Sequence, residues 1–349
     1  MQRYLFHLGY CGSRLRGIQR QSAELEELRG SVQGLLEKGL TLLDPANEPL
    51  SYFSSRTDKG VHAVCNTAHV DLLCKGDGVC YEPRRVTHHL NRFFKIHNTD
   101  IRIHKTTLVP QTFHARYDAV GRRYLYRLAV TPEHIGGSRM HREKFTPSAE
   151  INRVYLVRPP FDPESLEPVC RLLEGTHDFA SFANAPRKGD PKKETVRTIH
   201  SIRVTPGRPS LDPSYDPLYS QLQFWDVTIR ASSFLYKQVR RTVGALVGVA
   251  QGRVNLDNIQ HMLDKPSHDN WICSHVAPPD GLYLLEVEYP PDVFLEAEGV
   301  SGEEVEGGKR EEVESVRKGE KGEVEGESKG EVCEERGESE GESKEEVER

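Results

Sequence analysis

The chain has 349 residues, 36% of them hydrophobic and 29% charged, enough for about two domains of ordinary size. The net charge of −6 hides an asymmetry: residues 297–349 hold 20 Glu against nine Lys and Arg, with ten Gly and no aromatic residue, whereas the first 296 hold 38 basic and 33 acidic residues, a net of +5. The absence of any run of 18 apolar residues excludes a transmembrane helix, and seven scattered Cys with no C-x-x-C argue against a disulfide framework or a zinc ribbon.

Residues 3–9 alternate as a strand, and this alternation begins so close to Met1 that no signal peptide or presequence is visible. An intracellular setting, cytoplasmic or mitochondrial, with reduced thiols is therefore expected. Ser31 can cap a helix over 31–43, in which Val32, Leu35, Leu36, Leu40 and Leu43 recur at helical spacing. A strand at 66–73, a basic helix at 84–95 and a strand at 101–108 follow. In 123–130, Tyr124, Tyr126, Leu128 and Val130 share the face of another strand. The Pro-rich stretch 158–163 marks a boundary, and a helix running to Leu173 must start late or kink at Pro168. The second half reads as strands at 196–205 and 219–230, helices at 234–250 and 256–263, and a closing strand at 282–289, with charged, Pro-rich loops at 184–193 and 206–217. This is an α+β pattern with antiparallel strands. Three segments result: 1–157, 158–296, and an acidic Glu/Gly-rich tail at 297–349 that has too little apolar surface to offset the entropy of ordering it and is expected to be disordered.

Chemistry concentrates in Ser54-Ser55-Arg56-Thr57-Asp58-Lys59-Gly60-Val61-His62-Ala63. An acid set between Arg56 and Lys59 in a short polar loop suits a carboxylate nucleophile or base. Local physics equally admits a turn in which Asp58 bonds its own backbone and Gly60 supplies a positive φ.

The segment resembles the catalytic loop of the TruA-type tRNA pseudouridine synthases. Further pieces resemble that family in the family's order, over roughly residues 3–290: the loop Gly12–Gln21, Phe113-His114-Ala115-Arg116-Tyr117, Arg122-Arg123-Tyr124-Leu125-Tyr126, the helix Phe234–Gly244 with Val239-Arg240, and Gly281-Leu282-Tyr283-Leu284. The resemblance implies two RRM-like (ferredoxin-like) halves with antiparallel sheets packed into one catalytic body, with helices on the outer faces. It also implies isomerisation of uridine to pseudouridine in structured RNA, above all tRNA, by a homodimer, without a cofactor, metal or membrane. The competing reading is a non-catalytic RNA-binding protein that keeps the fold.

By the same resemblance, Asp58 opens the exchange of the C1′–N1 bond for C1′–C5, Arg240 pairs with it, and Tyr124 stacks on the extruded uracil. Arg56 then fills the gap left in the RNA stack, as a flat guanidinium can. Further RNA contacts are expected from the basic clusters at Arg14, Arg16 and Arg20, at Arg116, at Arg122 and Arg123, at Arg187, Lys188, Lys192 and Lys193, and at Lys237 and Arg241, the last facing solvent or RNA.

Overall fold

A computed structural model describes residues 1–22, 30–75, 81–132, 146–186, 189, 194–273, 276–291 and 293–294. Among them, ten strands form one sheet and five α-helices pack on it. The strands are β1 (Gln2–Tyr10), β2 (Ser51–Phe53), β3 (His62–Leu72), β4 (Ile101–Val109), β5 (Gly121–Val130), β6 (Tyr155–Val157), β7 (Gly175–Asp178), β8 (Val196–Pro206), β9 (Gln223–Ala231) and β10 (Leu282–Glu288). The helices are α1 (Val32–Thr41), α2 (Pro83–Ile96), α3 (Leu166–Leu173), α4 (Gln238–Ala250) and α5 (Leu256–Asp264). The expected α+β class is what forms. The expected tail and Arg187, Lys188, Lys192 and Lys193 lie outside the described residues.

Local chemistry accounts for the helix ends. The Ser31 hydroxyl accepts from the Gly34 N–H at 3.0 Å, as expected of the α1 cap. Pro83 opens α2, where its missing N–H has no intrahelical partner to lose. Pro168 is the third residue of α3, still in the turn whose N–H groups are unpaired, so the helix starts late and does not kink. Asn255 and Asn258 bond reciprocally to each other's backbone N–H and cap α5. Helix α4 begins four residues later than its apolar spacing predicts. The Tyr236 carbonyl accepts from the Asn184 N–H, the Leu235 N–H donates to the Gln238 side chain, and Lys237 sits in the left-handed region at φ 62°.

The sheet runs β4-β1-β3-β10-β5-β9-β8-β7, with β2 added to β3 and β6 to β5. Neighbours are antiparallel except at two places: β6 is parallel to β5, and β10 is parallel to β3 through Tyr283 opposite His62 and Leu284 opposite Ala63. Side chains of one parity, including Tyr4, Phe6 and Leu8 of β1, Tyr124, Tyr126 and Leu128 of β5, and Val227 and Ile229 of β9, form one core cluster with the buried residues of all five helices. The opposite parity feeds two smaller clusters, around Leu5 with Phe113 and around Ala129 with Phe224. The helices thus share one face of the sheet, which narrows the expectation of helices on outer faces. Asn91 of α2 clips this layer to the sheet, its amide bonding both the N–H and the C=O of Ile103 at 2.9 Å.

Candidate active site

The loop from Ser54 to Val61 leaves β2 and re-enters the sheet as β3, and a buried amide holds its first half. Asn66 of β3 is fully buried. Its Nδ2 donates to the Ser55 carbonyl at 3.0 Å and to the Tyr10 hydroxyl at 3.2 Å, while its Oδ1 accepts from Ser54 Oγ and from the Thr67 N–H, both at 2.9 Å. The Tyr10 hydroxyl in turn shares a 2.8 Å bond with Thr57 Oγ1, and burial pushes its pKa up to about 12, so it stays a neutral hydrogen-bonding group. From the other side Arg122, itself 9% exposed, donates to the carbonyls of Ser54, Arg116, Ala119 and Ser232. Sequence reasoning gave Asn66 and Tyr10 no role and placed Arg122 in a family-like strand segment and a basic cluster, without the loop-holding role it has here. The available signal was a polar residue at core-facing parity in a strand.

The second half of the loop is shaped by close backbone approach. Ile18 N–H donates to the Thr57 carbonyl at 3.2 Å. Gly17, at φ 90°, passes so near that a Cβ there would lie 3.1 Å from the Lys59 nitrogen. Gly60 turns the chain at φ 86°, and the Val61 N–H closes on the Asp58 carbonyl at 3.1 Å. The two readings of Asp58 are therefore compatible: the turn exists, and its bond uses the backbone of Asp58 and leaves the carboxylate available.

That carboxylate, with 26% of its side chain exposed, meets Arg240 of α4 from 182 residues away. Arg240 Nη1 donates to Asp58 Oδ2 at 3.2 Å, its Nε donates to the Ala277 carbonyl at 2.8 Å, and its own carbonyl accepts from the Ala277 N–H at 3.2 Å. The guanidinium is thus fixed from two directions. Oδ1 of Asp58 accepts no hydrogen bond among the described residues, so one oxygen is pinned and the other is open. Tyr124 of β5 completes the group. Its ring, 8% exposed, stands edge-on to Phe234 at 5.1 Å and 90°. Burial first, and nearby Tyr10 and Asp58 after it, hold its phenol well above the usual range.

The remaining candidates divide into free and engaged cations. Arg56 is exposed, with no hydrogen bond or ion pair among the described residues. Arg116 is exposed and lies 5.8 Å from the ring centre of Tyr117, itself 74% exposed. Lys237 Nζ lies 5.2 Å from the ring centre of the exposed Tyr236. Arg14 is exposed and only loosely paired with Asp100 at 3.8 Å, and Arg16 is half-buried. Three others have structural work. Arg20 pairs with Glu37, a carboxylate 4% exposed that also accepts from Ser51 and Gln33. Arg123 pairs across strands with Glu286 at 2.7 Å. Arg241, expected to face solvent or RNA, instead turns inward: it donates to the Ser181 carbonyl at 2.9 Å and to the Asn184 side chain at 3.3 Å, with Trp271 5.0 Å away, and burial lowers its pKa. One helical step rotates a side chain by about 100°, which separates Arg240 at the site from Arg241 in the wall behind it.

No helix of the described residues is long and apolar enough to cross a membrane. Residues 169–290 match the family model described as tRNA pseudouridine synthase. The chain is 35% identical over 308 residues to tRNA pseudouridine synthase-like 1 of Xenopus laevis, covering 87% of this chain and 96% of that one. It is 33% identical over 290 residues to the Homo sapiens protein of the same name, with 82% and 90% covered. To tRNA pseudouridine synthase A of Cereibacter sphaeroides it is 34% identical over 296 residues, with 84% and 100% covered.

Proposed function

The chain belongs to the tRNA pseudouridine synthase family, and from that premise we propose that Asp58, Arg240 and Tyr124 carry out the isomerisation of uridine to pseudouridine in tRNA. The observation that carries the assignment is the Arg240 to Asp58 bond at 3.2 Å, which fixes one carboxylate oxygen and leaves the other without a protein partner among the described residues, within electrostatic reach of Tyr124. The open Oδ1 takes the first step, at C1′, at the uracil ring or at a sugar proton. The C1′–N1 bond breaks, the base turns, and C1′–C5 forms; the C5 proton is then lost, restoring the C5–C6 double bond, while N1 gains a proton, so the product is an isomer of the substrate. The Tyr124 ring supplies a face on which the extruded base is held while it turns, and its high pKa keeps the phenol protonated in the resting enzyme.

Extruding a base costs a few kcal/mol. We assign part of the offset to Arg56, whose guanidinium has no protein partner among the described residues and can stack in the vacated position. Arg116, Lys237, Arg14 and Arg16 are assigned to phosphates, whereas Arg20, Arg123 and Arg241 are assigned to holding the protein together. A homodimer binding one tRNA across two subunits remains part of this reading.

We also read the body as two ferredoxin-like halves. Support comes from element order: β1-α1-β2-β3-α2-β4 gives the sheet order β4-β1-β3-β2, and β5-α3-β8-β9-α4-β10 gives β10-β5-β9-β8, each half a β-α-β-β-α-β unit with antiparallel neighbours. On this count the seam of the reading falls before β5, ahead of residue 157.

The test is Asp58→Ala, assayed by chemical mapping of pseudouridine in tRNA from cells lacking the protein and complemented with either form. The wild type is expected to restore modification at defined uridines and the variant at none, while its RNA affinity stays within about threefold. Normal modification by the variant would remove Asp58 from the mechanism.

A further inference from the structure

Four rings pack in a row at the entry to the loop that carries Asp58. Tyr52 of β2 stacks on His69 of β3, with 5.1 Å between ring centres and 15° between planes. His69 meets His114 edge-on at 4.6 Å, and His114 meets Tyr117 at 4.3 Å. His69 is only 2% exposed, whereas Tyr117 at the end of the row is 74% exposed. Exposed side chains ordinarily hop between rotamers, but this one is braced. The Tyr117 and Asp118 N–H groups both donate to the His114 carbonyl at 3.1 Å, the Arg116 N–H donates to His114 Nδ1 at 3.2 Å, and the Ala115 N–H donates to His69 Nδ1 at 3.1 Å. Burial lowers the pKa of both histidines, His69 to about 4, so the bracing rings are uncharged at neutral pH. The row is also tied to the site. Arg122 Nη2 donates to the Arg116 carbonyl at 3.1 Å and to the Ser54 carbonyl at 3.3 Å, so one nitrogen joins the Tyr117 turn to the start of the loop that presents Arg56 and Asp58.

A braced and solvent-facing ring with a guanidinium 5.8 Å from its centre can take a base on the ring and a phosphate on the cation. Resting on the reading that a uridine in tRNA is isomerised here, we propose that Tyr117 stacks on an unpaired base close to the target uridine, with Arg116 on the backbone of that stretch of RNA. Charge favours RNA as the occupant: neither Arg116 nor Arg56 has a carboxylate partner among the described residues, and the turn bearing the first is bonded through Arg122 to the loop bearing the second. Stacking tolerates any base, because every base has a π face. The contact therefore holds the strand beside the extruded nucleotide without selecting its sequence.

The experiment measures the affinity of full-length wild type, Tyr117→Ala, Tyr117→Phe and Tyr215→Ala for a tRNA transcript carrying a uridine that the wild type modifies, over a range of salt, with the thermal midpoint and the molecular mass in solution. Tyr215, 80% exposed between β8 and β9, controls for loss of an exposed ring elsewhere. Tyr117→Ala is expected to bind about tenfold more weakly with an unchanged salt slope, since a base contact releases no counterion. Tyr117→Phe and Tyr215→Ala should stay within about twofold of wild type, and all midpoints within about 1 °C, as for other surface substitutions. Replacing nucleotides around the target with abasic ones, one at a time, then locates the contact: at one position the loss is about tenfold for wild type and under about twofold for Tyr117→Ala. Full affinity in Tyr117→Ala, an equal loss in Tyr117→Phe, or no coupled position would overturn the proposal. A changed mass in Tyr117→Ala would do so too, because the ring would then be a contact between protein copies. If the wild type modified no uridine in any tRNA, the reading beneath the proposal would fail. An active wild type with a fully binding Tyr117→Ala would sink the Tyr117 assignment alone.

Discussion

Replacing Asn66 with Ala tests whether the loop carrying Asp58 is held from beneath. The change deletes four hydrogen bonds, two donated by Nδ2 and two accepted by Oδ1. Their consequences differ. Tyr10 keeps its bond to Thr57, and the Ser54 hydroxyl can rotate, which leaves the Ser55 carbonyl and the Thr67 N–H as the groups that lose a partner in a dry setting. At about 1–3 kcal/mol for each buried group left unpaired, the loss comes to roughly 2–4 kcal/mol once some relaxation is allowed. For a body of this size that is a fall of about 4–8 °C in thermal midpoint. Catalysis should fall further than stability explains, because a shift of about 1 Å in a reacting group costs on the order of 100-fold in rate. Calorimetry gives the first number, and single-turnover pseudouridine formation well below the midpoint gives the second. Asn66→Asp should be at least as damaging, since a carboxylate cannot donate to Tyr10 or to the Ser55 carbonyl. A variant that melts within 1 °C of wild type and turns over at the same rate would refute the argument that this amide positions Asp58.

Arg240→Ala is expected to lower the rate by about 100-fold or more and to destabilise the body, because Ala277 loses its guanidinium partner as well as Asp58; a fully active and fully stable variant would dissolve the ion pair's role. Gly60→Ala should cost about 1–3 kcal/mol, measured by denaturant unfolding, since the new Cβ would sit at φ 86° and 2.9 Å from Pro279; an unchanged midpoint concentration would contradict this. Arg20→Ala should weaken the fold, by about 1 kcal/mol after allowing for its half-exposed side chain, while leaving RNA affinity within twofold, the reverse of the outcome if Arg20 gripped phosphate. Glu150 gives a pH test. Burial alone would raise its carboxyl, but Arg127 and the Ser210 N–H outweigh burial and hold it below the usual value, so its stabilisation is complete above the ordinary glutamate pKa and is lost as pH falls through the lower folded one. Acid unfolding of Glu150→Gln should therefore show a shallower dependence below about pH 4.5, and identical slopes would exclude Glu150 as a contributor.

Where sequence reasoning succeeds, the cause is local and repeated. Alternation in β1 and β5, helical spacing in α1 and the hydroxyl of Ser31 each leave a signature within a few residues, and those elements form where they are expected. Three strands escape it: β2, β6 and β7 have three or four residues, no longer than two periods of alternation. The late start of α4 is invisible for another reason. It depends on Asn184, some 50 positions away, which takes up a carbonyl that the apolar pattern would have placed inside the helix. The site behaves the same way. Asp58, Tyr124 and Arg240 are recognisable through motifs, but whether a cation is free or engaged depends on distant partners. Arg20 reaches Glu37, Arg123 reaches Glu286, and Arg241 reaches Ser181, and nothing in the neighbouring sequence distinguishes them from Arg56.

The strand β10 is the last regular element of the described body, yet it lies in the middle of the sheet, parallel to β3 on one side and antiparallel to β5 on the other. A ribosome therefore releases two partly built sheets with facing raw edges before the piece that joins them exists. Until about residue 288 has emerged, β3 and β5 present unpaired backbone to solvent, to a chaperone or to one another in the wrong register. The Asp58–Arg240 pairing arrives late for the same reason. Ala277, the backbone clamp on Arg240, is only a few residues ahead of β10, so zipping in the final strand and locking the guanidinium against the carboxylate are parts of one closing event.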